Sequence, residues 1–279
     1  MHLLIFGLGY SGAAIAAAAR ESGFTVTATS RSATPGCIPF DAAEDAIAQA
    51  THILTTAAPN EVGDPVLARY AAALAAAPAR WFGYLSSTVV YGNRDGGWVD
   101  EDTPPAPTQA RGARRVAAED AWAAFAHKAA VDIFRLAGIY GPGRSAFDDL
   151  RAGTARRTIK PGHQFGRIHR DDIARAVVAA MRQARGEGRR DLNLTDDEPS
   201  ESAVVVTEAA ALLGIAPPPP VAFETALPGL SPMARGFWAE NRKVACVKTK
   251  AALGLEWRYP TYREGLRAIL AEERANRPV

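Results

Sequence analysis

The sequence predicts an α/β fold: a doubly wound parallel sheet carrying a smaller C-terminal lobe. Three observations predict it. A short apolar run at the start of the chain ends in a glycine-rich turn; apolar or β-branched runs alternate with alanine-rich stretches as far as Gly141; and the rhythm loosens beyond that point. Strands alternating with helices at this spacing read as βαβ units, whose strands are parallel.

His2-Leu3-Leu4-Ile5-Phe6 is a continuous apolar run, as expected of a strand buried on both faces. Residues 11–22 read as a helix with Ile15 on its inner face and Gly23 as its stop. Residues 24–29 are β-branched and form the second strand. After a turn at Pro35-Gly36, residues 41–49 read as a helix and 51–54 as a strand. A helix over 64–77 has Asp64 to cap it and Pro65 at its first position. A strand over 81–86, a helix over 107–127 and a strand over 131–135 continue the alternation. Further helices are predicted over 145–152, 171–185, 200–213 and 261–273, with the proline run 217–220 as a surface connector. Residues 1–140 are expected to form the nucleotide-binding domain, its sheet completed by segments near 165–195. Residues 141–279 form mainly a discontinuous lobe over the carboxyl ends of the strands.

Composition narrows the function classes. The 279 residues carry 32 Lys and Arg against 30 Asp and Glu, a net charge of +2, which is no footprint for nucleic acid. Cys37 and Cys246 stand far apart and the five histidines are scattered, so neither a disulfide framework nor a metal site is expected. Residues 3–19 are uncharged and alanine-rich like a signal-peptide core, but only Met1 and His2 precede them, with no Lys or Arg. The run is also short for a membrane span. A cytoplasmic protein without membrane or nucleic-acid partners is expected.

Gly7-Leu8-Gly9-Tyr10-Ser11-Gly12 matches G-x-G-x-x-G directly after a strand and at the opening of a helix, the context of a Rossmann-type dinucleotide site. Gly7 allows the tight turn, Gly9 lets backbone approach a pyrophosphate, and Gly12 permits close helix–strand packing. The helix then presents unpaired N–H groups and a positive dipole end to the phosphates. NAD sites place an acid about 20 residues on, to hold the ribose 2′-hydroxyl. Here Ser30-Arg31-Ser32 stands instead, so Arg31 is expected to pair with a 2′-phosphate, with Ser30 and Ser32 adding hydroxyls. NADP is therefore the expected cofactor, with NAD as the alternative; a solvated Arg31 is the competing reading. Asp41 is placed to meet an adenine or, equally, to cap a helix.

Ser86-Ser87-Thr88-Val89-Val90-Tyr91-Gly92 resembles the Ser-Ser-x-x-Val-Tyr-Gly segment of extended short-chain dehydrogenases/reductases, the group containing nucleotide-sugar epimerases and dehydratases. Asp100-Glu101-Asp102-Thr103-Pro104, the stretch from Arg135 through Tyr140-Gly141-Pro142-Gly143-Arg144, and Arg167-Ile168-His169-Arg170-Asp171-Asp172 are similar to further family segments. Lys250-Ala251-Ala252-Leu253-Gly254 with Gly265-Leu266 fits as well. The resemblance implies a Rossmann-type doubly wound parallel sheet with a smaller C-terminal substrate lobe, and NAD(P) held also by Thr56, Ala57, Ala58, Ser86 and Ala137. It makes Ser87 the active-site hydroxyl, and by analogy it allows a homodimer.

The chain departs from that family at its Tyr-x-x-x-Lys pair: the Tyr position falls on Arg111 and the Lys position on Arg115. This resembles the atypical short-chain subgroup that keeps the nucleotide fold without the standard tyrosine. A guanidinium stays protonated and cannot act as general acid or base near neutrality. Arg115 is expected to bond the nicotinamide ribose, and Arg111, one turn earlier on the same helix face, to clamp a substrate phosphate or carboxylate. The competing reading is that both merely solubilise the helix. Tyr91, Tyr140, His163 and His169 are substitute proton donors by position, with Tyr91 the candidate carried forward. Tyr91 and Tyr140 each have a core or rim role as the alternative, and His169 a structural hydrogen bond before a helix. The basic segment 151–170 reads either as an anion-attracting rim or as a solvated face, and Asp196-Asp197-Glu198 and Asp100-Glu101-Asp102 as solvated loop charges. The expected function is an NADP-linked oxidoreductase or nucleotide-sugar epimerase-like enzyme acting on a phosphorylated or carboxylated small molecule. A catalytically silent NADP-binding sensor is the alternative.

Overall fold

The computed structural model describes residues 1–32 and 34–275. In chain order its first half runs β1 (His2–Phe6), α1 (Tyr10–Glu21), β2 (Thr25–Ser30), β3 (Ile38–Pro39), α2 (Glu44–Gln49), β4 (His52–Thr55), α3 (Pro65–Ala76) and β5 (Trp81–Ser87). Then follow β6 (Trp98–Val99), α4 (Ala110–Ala123), β7 (Ala130–Leu136), β8 (Gly138–Tyr140), α5 (Ala146–Arg151), β9 (Arg157–Ile159), β10 (Arg167–His169), α6 (Arg170–Arg182) and β11 (Gly188–Leu194). The remainder is α7 (Ser202–Leu213), β12 (Pro220–Ala222), α8 (Phe223–Ala226), α9 (Pro232–Ala239), β13 (Lys243–Val244), α10 (Val247–Leu253) and α11 (Tyr262–Ala275).

Seven strands form one parallel sheet in the order β11-β7-β5-β4-β1-β2-β3. The order reverses at β1, which lies between β2 and β4, and the crevice at that switch point is where open α/β sheets bind ligands. The apolar run of β1 has the physical reason expected of it. Side chains alternate across a strand, so Leu3 and Ile5 enter the core beneath α1 and α6 while Leu4 and Phe6 enter the core beneath α2, α3 and α4. All four are fully buried. The alanines of α1 let it lie close on α6, where Ile15, Ala16 and Ala19 share a core with Ile173, Ala176 and Val177. A separate core of Tyr140, Phe147, Val205, Ala209, Tyr262 and Leu266 unites α5, α7 and α11 at the strands' carboxyl end.

Several boundaries differ from the sequence reading. The helix expected over 41–49 splits into a 3-10 turn at Phe40–Ala42 and the shorter α2, so Asp41 caps nothing. The sheet gains β3 as an edge strand, a position that tolerates Pro39. The helix expected from 107 starts at Ala110, after prolines at 104, 105 and 107 that cannot supply helical N–H groups, and ends in a 3-10 turn. The last residue of the proline connector, Pro220, opens a strand paired with β9. Among the described residues, no helix is long and apolar enough to cross a membrane.

Asp64 has the capping role expected of it, and a second one. Its Oδ1 accepts from the Val66 and Leu67 N–H groups at 2.9 and 3.0 Å, while Oδ2 accepts from Trp122 Nε1 at 3.0 Å, tying α3 to α4. Asp64→Ala removes the cap and strands a buried indole N–H. It should cost about 2–4 kcal/mol, read as a lowered urea midpoint at unchanged slope.

Candidate cofactor and substrate site

The turn after β1 is shaped for close backbone approach. Gly7 has φ +96°, and its carbonyl is so near Gly12 that a Cβ on Gly12 would collide with it. Thr56 at the end of β4 donates its hydroxyl to that carbonyl at 2.8 Å. Gly9 caps α1 without a side-chain bond, the first turn of α1 holds no acid, and a Cβ on Gly9 would meet nothing within 4 Å. The N–H groups at the start of α1 thus face open space with a positive helix end behind them, a cradle that fits a pyrophosphate. Leu8 turns back against the main core, Ser11 is buried, and the Tyr10 hydroxyl donates to Pro142 O at 3.0 Å.

At the end of β2, Ser30 is half-buried with its hydroxyl 3.0 Å from that of Thr34. Arg31 and Ser32 are exposed, and Arg31 has no ion pair among the described residues. Asp41 stands near Arg69, at 4.0 Å, with its side chain 81% exposed. Ala57 is half-buried and Ala58 exposed, just past Thr56.

A cleft of about 790 Å³ opens beside this turn, lined by Gly9 to Gly12 and also by Phe237 and Trp238 of α9. Ser86, Ser87 and Ala137 line it at the ends of β5 and β7. The Ser86 side chain turns inward to Glu119 at 2.6 Å, whereas among the described residues the Ser87 hydroxyl is bonded only by the Val89 N–H, at 3.4 Å. Arg111 and Arg115 both line the cleft, so neither is a mere surface arginine. Arg115 is already partly engaged, donating to Leu85 O at 2.7 Å and to the Tyr84 hydroxyl at 2.9 Å. Arg111 lies over the Phe237 ring at 4.8 Å and has no carboxylate partner among the described residues. Burial, and then the nearby Arg115 charge, make its proton less tightly held than usual. Arg144, Arg167 and Arg242 complete the lining, against Asp149 and Glu240.

The structure does not bring Tyr91 to the cleft, which corrects its place among the catalytic candidates. It is fully buried, donating to Asn193 Oδ1 at 2.8 Å and accepting from Arg135 Nη1 at 3.1 Å. Tyr140 packs in the core of the smaller lobe, where burial raises its pKa. His163 is wedged against Phe165 and Trp238, and burial lowers its pKa to about 4. His169 accepts from the Asp171 N–H at 3.2 Å, the bond expected ahead of α6. Of the basic side chains in segment 151–170, Arg167 lines the cleft, beside Gln164, Phe165 and Gly166; Arg151 pairs with Glu273 and Lys160 donates to Trp238 O at 2.7 Å. Among the described residues, no three His, Cys, Asp or Glu are grouped to hold a metal.

A parallel sheet with this phosphate turn at its switch point defines a dinucleotide-binding α/β protein. Residues 3–195 match the model of the NAD dependent epimerase/dehydratase family, and the chain belongs to that family. Among solved structures, a functionally unknown conserved protein from Silicibacter pomeroyi is 43% identical, with 97% of this chain and 98% of that one covered and a TM-score of 0.90. A protein from Methylobacillus flagellatus, described provisionally as an NAD-dependent epimerase/dehydratase, is 27% identical over 98% of each chain with a TM-score of 0.75. The human epimerase family protein SDR39U1, solved with NADPH, shares the fold at 20% identity and a TM-score of 0.78, with 97% of this chain and 99% of that one covered. No curated protein matches.

Sequence reasoning passed over Phe237, Trp238, Glu240 and Arg242; the adjacent aromatics between Gly236 and Glu240 were the available signal. It also read two acidic triplets as solvated. Asp102 is solvated as expected, its side chain 81% exposed, and shares the surface Lys248 with Asp100, whereas Glu101 turns inward and accepts from the Thr249 N–H at 3.1 Å. Asp197 pairs with Lys250 and Glu198 with Arg263. Asp196 is only 1% exposed, and both its oxygens lack a hydrogen-bond partner. Burial raises its pKa from 3.8 to about 8, against the opposing pull of Arg167. An acid whose folded pKa lies above its unfolded one contributes stability fully below the lower value and loses it as pH rises through the higher. Thermal midpoints should therefore fall between pH 4 and 8, and Asp196→Asn should flatten that fall and gain a few degrees at pH 8. Melting curves across this range check both.

Proposed function

We propose that this protein is an NADP-linked oxidoreductase or epimerase-type enzyme whose small-molecule substrate carries a phosphate or carboxylate. Residues 1–140 supply most of the dinucleotide site and residues 141–279 most of the substrate lobe. The observation that carries this reading is a single cleft lined both by a phosphate-shaped turn and by the guanidinium groups of Arg111, Arg115 and Arg242. The serines flanking Arg31 and the missing acid there favour a 2′-phosphate over a 2′-hydroxyl.

NADP supplies or accepts the hydride when bound. The first turn of α1 holds its pyrophosphate, and Arg31 with Ser30 and Ser32 holds the 2′-phosphate. The N–H groups of Arg115 not spent on Leu85 and Tyr84 reach the ribose. Ser87 hydrogen-bonds the substrate oxygen at the reacting carbon. Arg111 binds the substrate anion and offsets negative charge developing beside it, keeping its own proton throughout.

NADPH should bind roughly 10- to 100-fold more tightly than NADH, the worth of one or two charge-assisted hydrogen bonds. Arg31→Asp should abolish or reverse that preference, because a carboxylate repels the 2′-phosphate and accepts from a 2′-hydroxyl. Calorimetric titration of both nucleotides measures this; equal affinities in the unaltered protein would overturn the NADP assignment.

A further inference from the structure

Tyr10 opens α1, and two guanidinium groups cover its ring: that of Arg170 at 5.0 Å from the centroid and that of Arg144 at 5.6 Å. The two are held differently. Arg170 donates to Asp171 at 3.3 Å, so its charge is answered locally. The Arg144 side chain makes no hydrogen bond or ion pair with any described residue, although it lines the same cleft as Gly9 to Gly12. The nearest acids do not answer it. Asp148 is occupied in the capping box of α5, accepting from Ser145 N at 2.7 Å, and Asp149 is exposed with no ion pair to Arg144.

The loop bearing Arg144 is fixed against the phosphate turn. Gly141 and Arg144 exchange backbone hydrogen bonds of 3.0 and 3.1 Å across a tight bridge, and the Tyr10 hydroxyl bonds Pro142 O at 3.0 Å. A Cβ on Gly141 would stand only 2.6 Å from that hydroxyl, so the two segments meet without spare room. Arg144 is exposed, and its guanidinium, with five free N–H donors, lies over the ring of the first residue of a helix whose end is itself positive and carries no acid in its first turn. Two like potentials side by side are satisfied together by one anion lying between them.

We propose that Arg144 is a pyrophosphate ligand of the bound dinucleotide, reaching the phosphates from the smaller lobe while the N–H groups of α1 hold them from the sheet. This rests on the dinucleotide reading above and adds a residue from the loop between β8 and α5 to the cofactor site. It also makes cofactor binding link the two lobes, since the donors come from one lobe and the arginine from the other.

Calorimetry with nucleotide fragments tests it. Adenosine 2′-monophosphate lacks the pyrophosphate; 2′-phospho-ADP-ribose contains it. Arg144→Ala should weaken 2′-phospho-ADP-ribose and NADPH about tenfold or more and leave adenosine 2′-monophosphate within about twofold. Arg144→Lys should recover part of the loss, as a point charge without the fork. Unchanged affinity for 2′-phospho-ADP-ribose in Arg144→Ala would overturn the proposal and leave the dinucleotide site standing. An equal loss for both fragments would overturn it too, as general damage to the site. If the unaltered protein bound neither fragment, the dinucleotide reading itself would fall, and with it the role of Arg144.

Discussion

The contact on which the rest of the molecule turns is between the α-carbon of Gly12 and the carbonyl of Gly7, where even a methyl group does not fit. That contact seats the first turn of α1 directly over the end of β1. The Thr56 hydroxyl bonds the same carbonyl from β4, so the strands on either side of the switch point share one anchor. Behind it the four apolar residues of β1 fill both cores, and this burial holds the turn in place. The helix end cannot retreat into the sheet, and its N–H groups remain aimed at the crevice.

A buried ionic network sets the other wall of the cleft. Glu119 is fully buried on α4, yet both its oxygens are satisfied, by Ser86 at 2.6 Å, by Arg135 at 2.8 Å and by Arg189 at 3.2 Å. A buried carboxylate is tolerable only with this degree of pairing. Its position has a consequence for the cleft, because Arg111, Arg115 and Glu119 are spaced by four and share one helix stripe. Fastening Glu119 to β5 and β7 therefore fixes the rotation of α4 and turns both arginines into the cleft. The same network removes Tyr91 from chemistry by using its hydroxyl between Asn193 and Arg135.

The first half of the fold was legible because its signals are local. Continuous apolar runs, a glycine turn, and an Asp-Pro helix start each act within a few residues, and each appears in the structure close to where the pattern put it. The second half was legible in its helices α5, α6, α7 and α11 but not in its short strands. Its strands β8, β9, β10 and β12 span three residues each and pair across long stretches of chain, so no periodicity can build up. Within the acid triplets Asp196 departs from the solvated reading for a related reason: it looks like Glu198 in a sequence, and only tertiary packing buries the one and leaves the other part-exposed and paired. Tyr91 was misplaced because a strand end near the cleft does not say which way a side chain points. Arg111 and Arg115 were placed by counting from a resemblance, and helix geometry then required them to lie on the same side.

The electrostatics of the cleft constrain what chemistry the proposed reading can contain. Five arginines line it against Asp149 and Glu240, and Glu240 is already committed to Thr108 at 2.7 Å and Arg242 at 2.8 Å. Positive charge is thus in excess there, and Arg111 holds its proton less firmly than a free arginine does, chiefly through burial and then through the nearby Arg115 charge. That excess falls when an anion enters, so ligand charge is part of the site's own balance. A tyrosine in that place would exchange a proton with the reacting oxygen, whereas a guanidinium offers fixed positive charge and directed hydrogen bonds. On the reading proposed above, with Arg111 at the tyrosine position of the resembling family, this wall contributes charge stabilisation in place of proton transfer. On that same proposed reading, a suitable substrate presents a standing or developing negative charge within reach of Arg111, and a neutral sugar ring with no such group would leave the arginine's cost of burial unanswered.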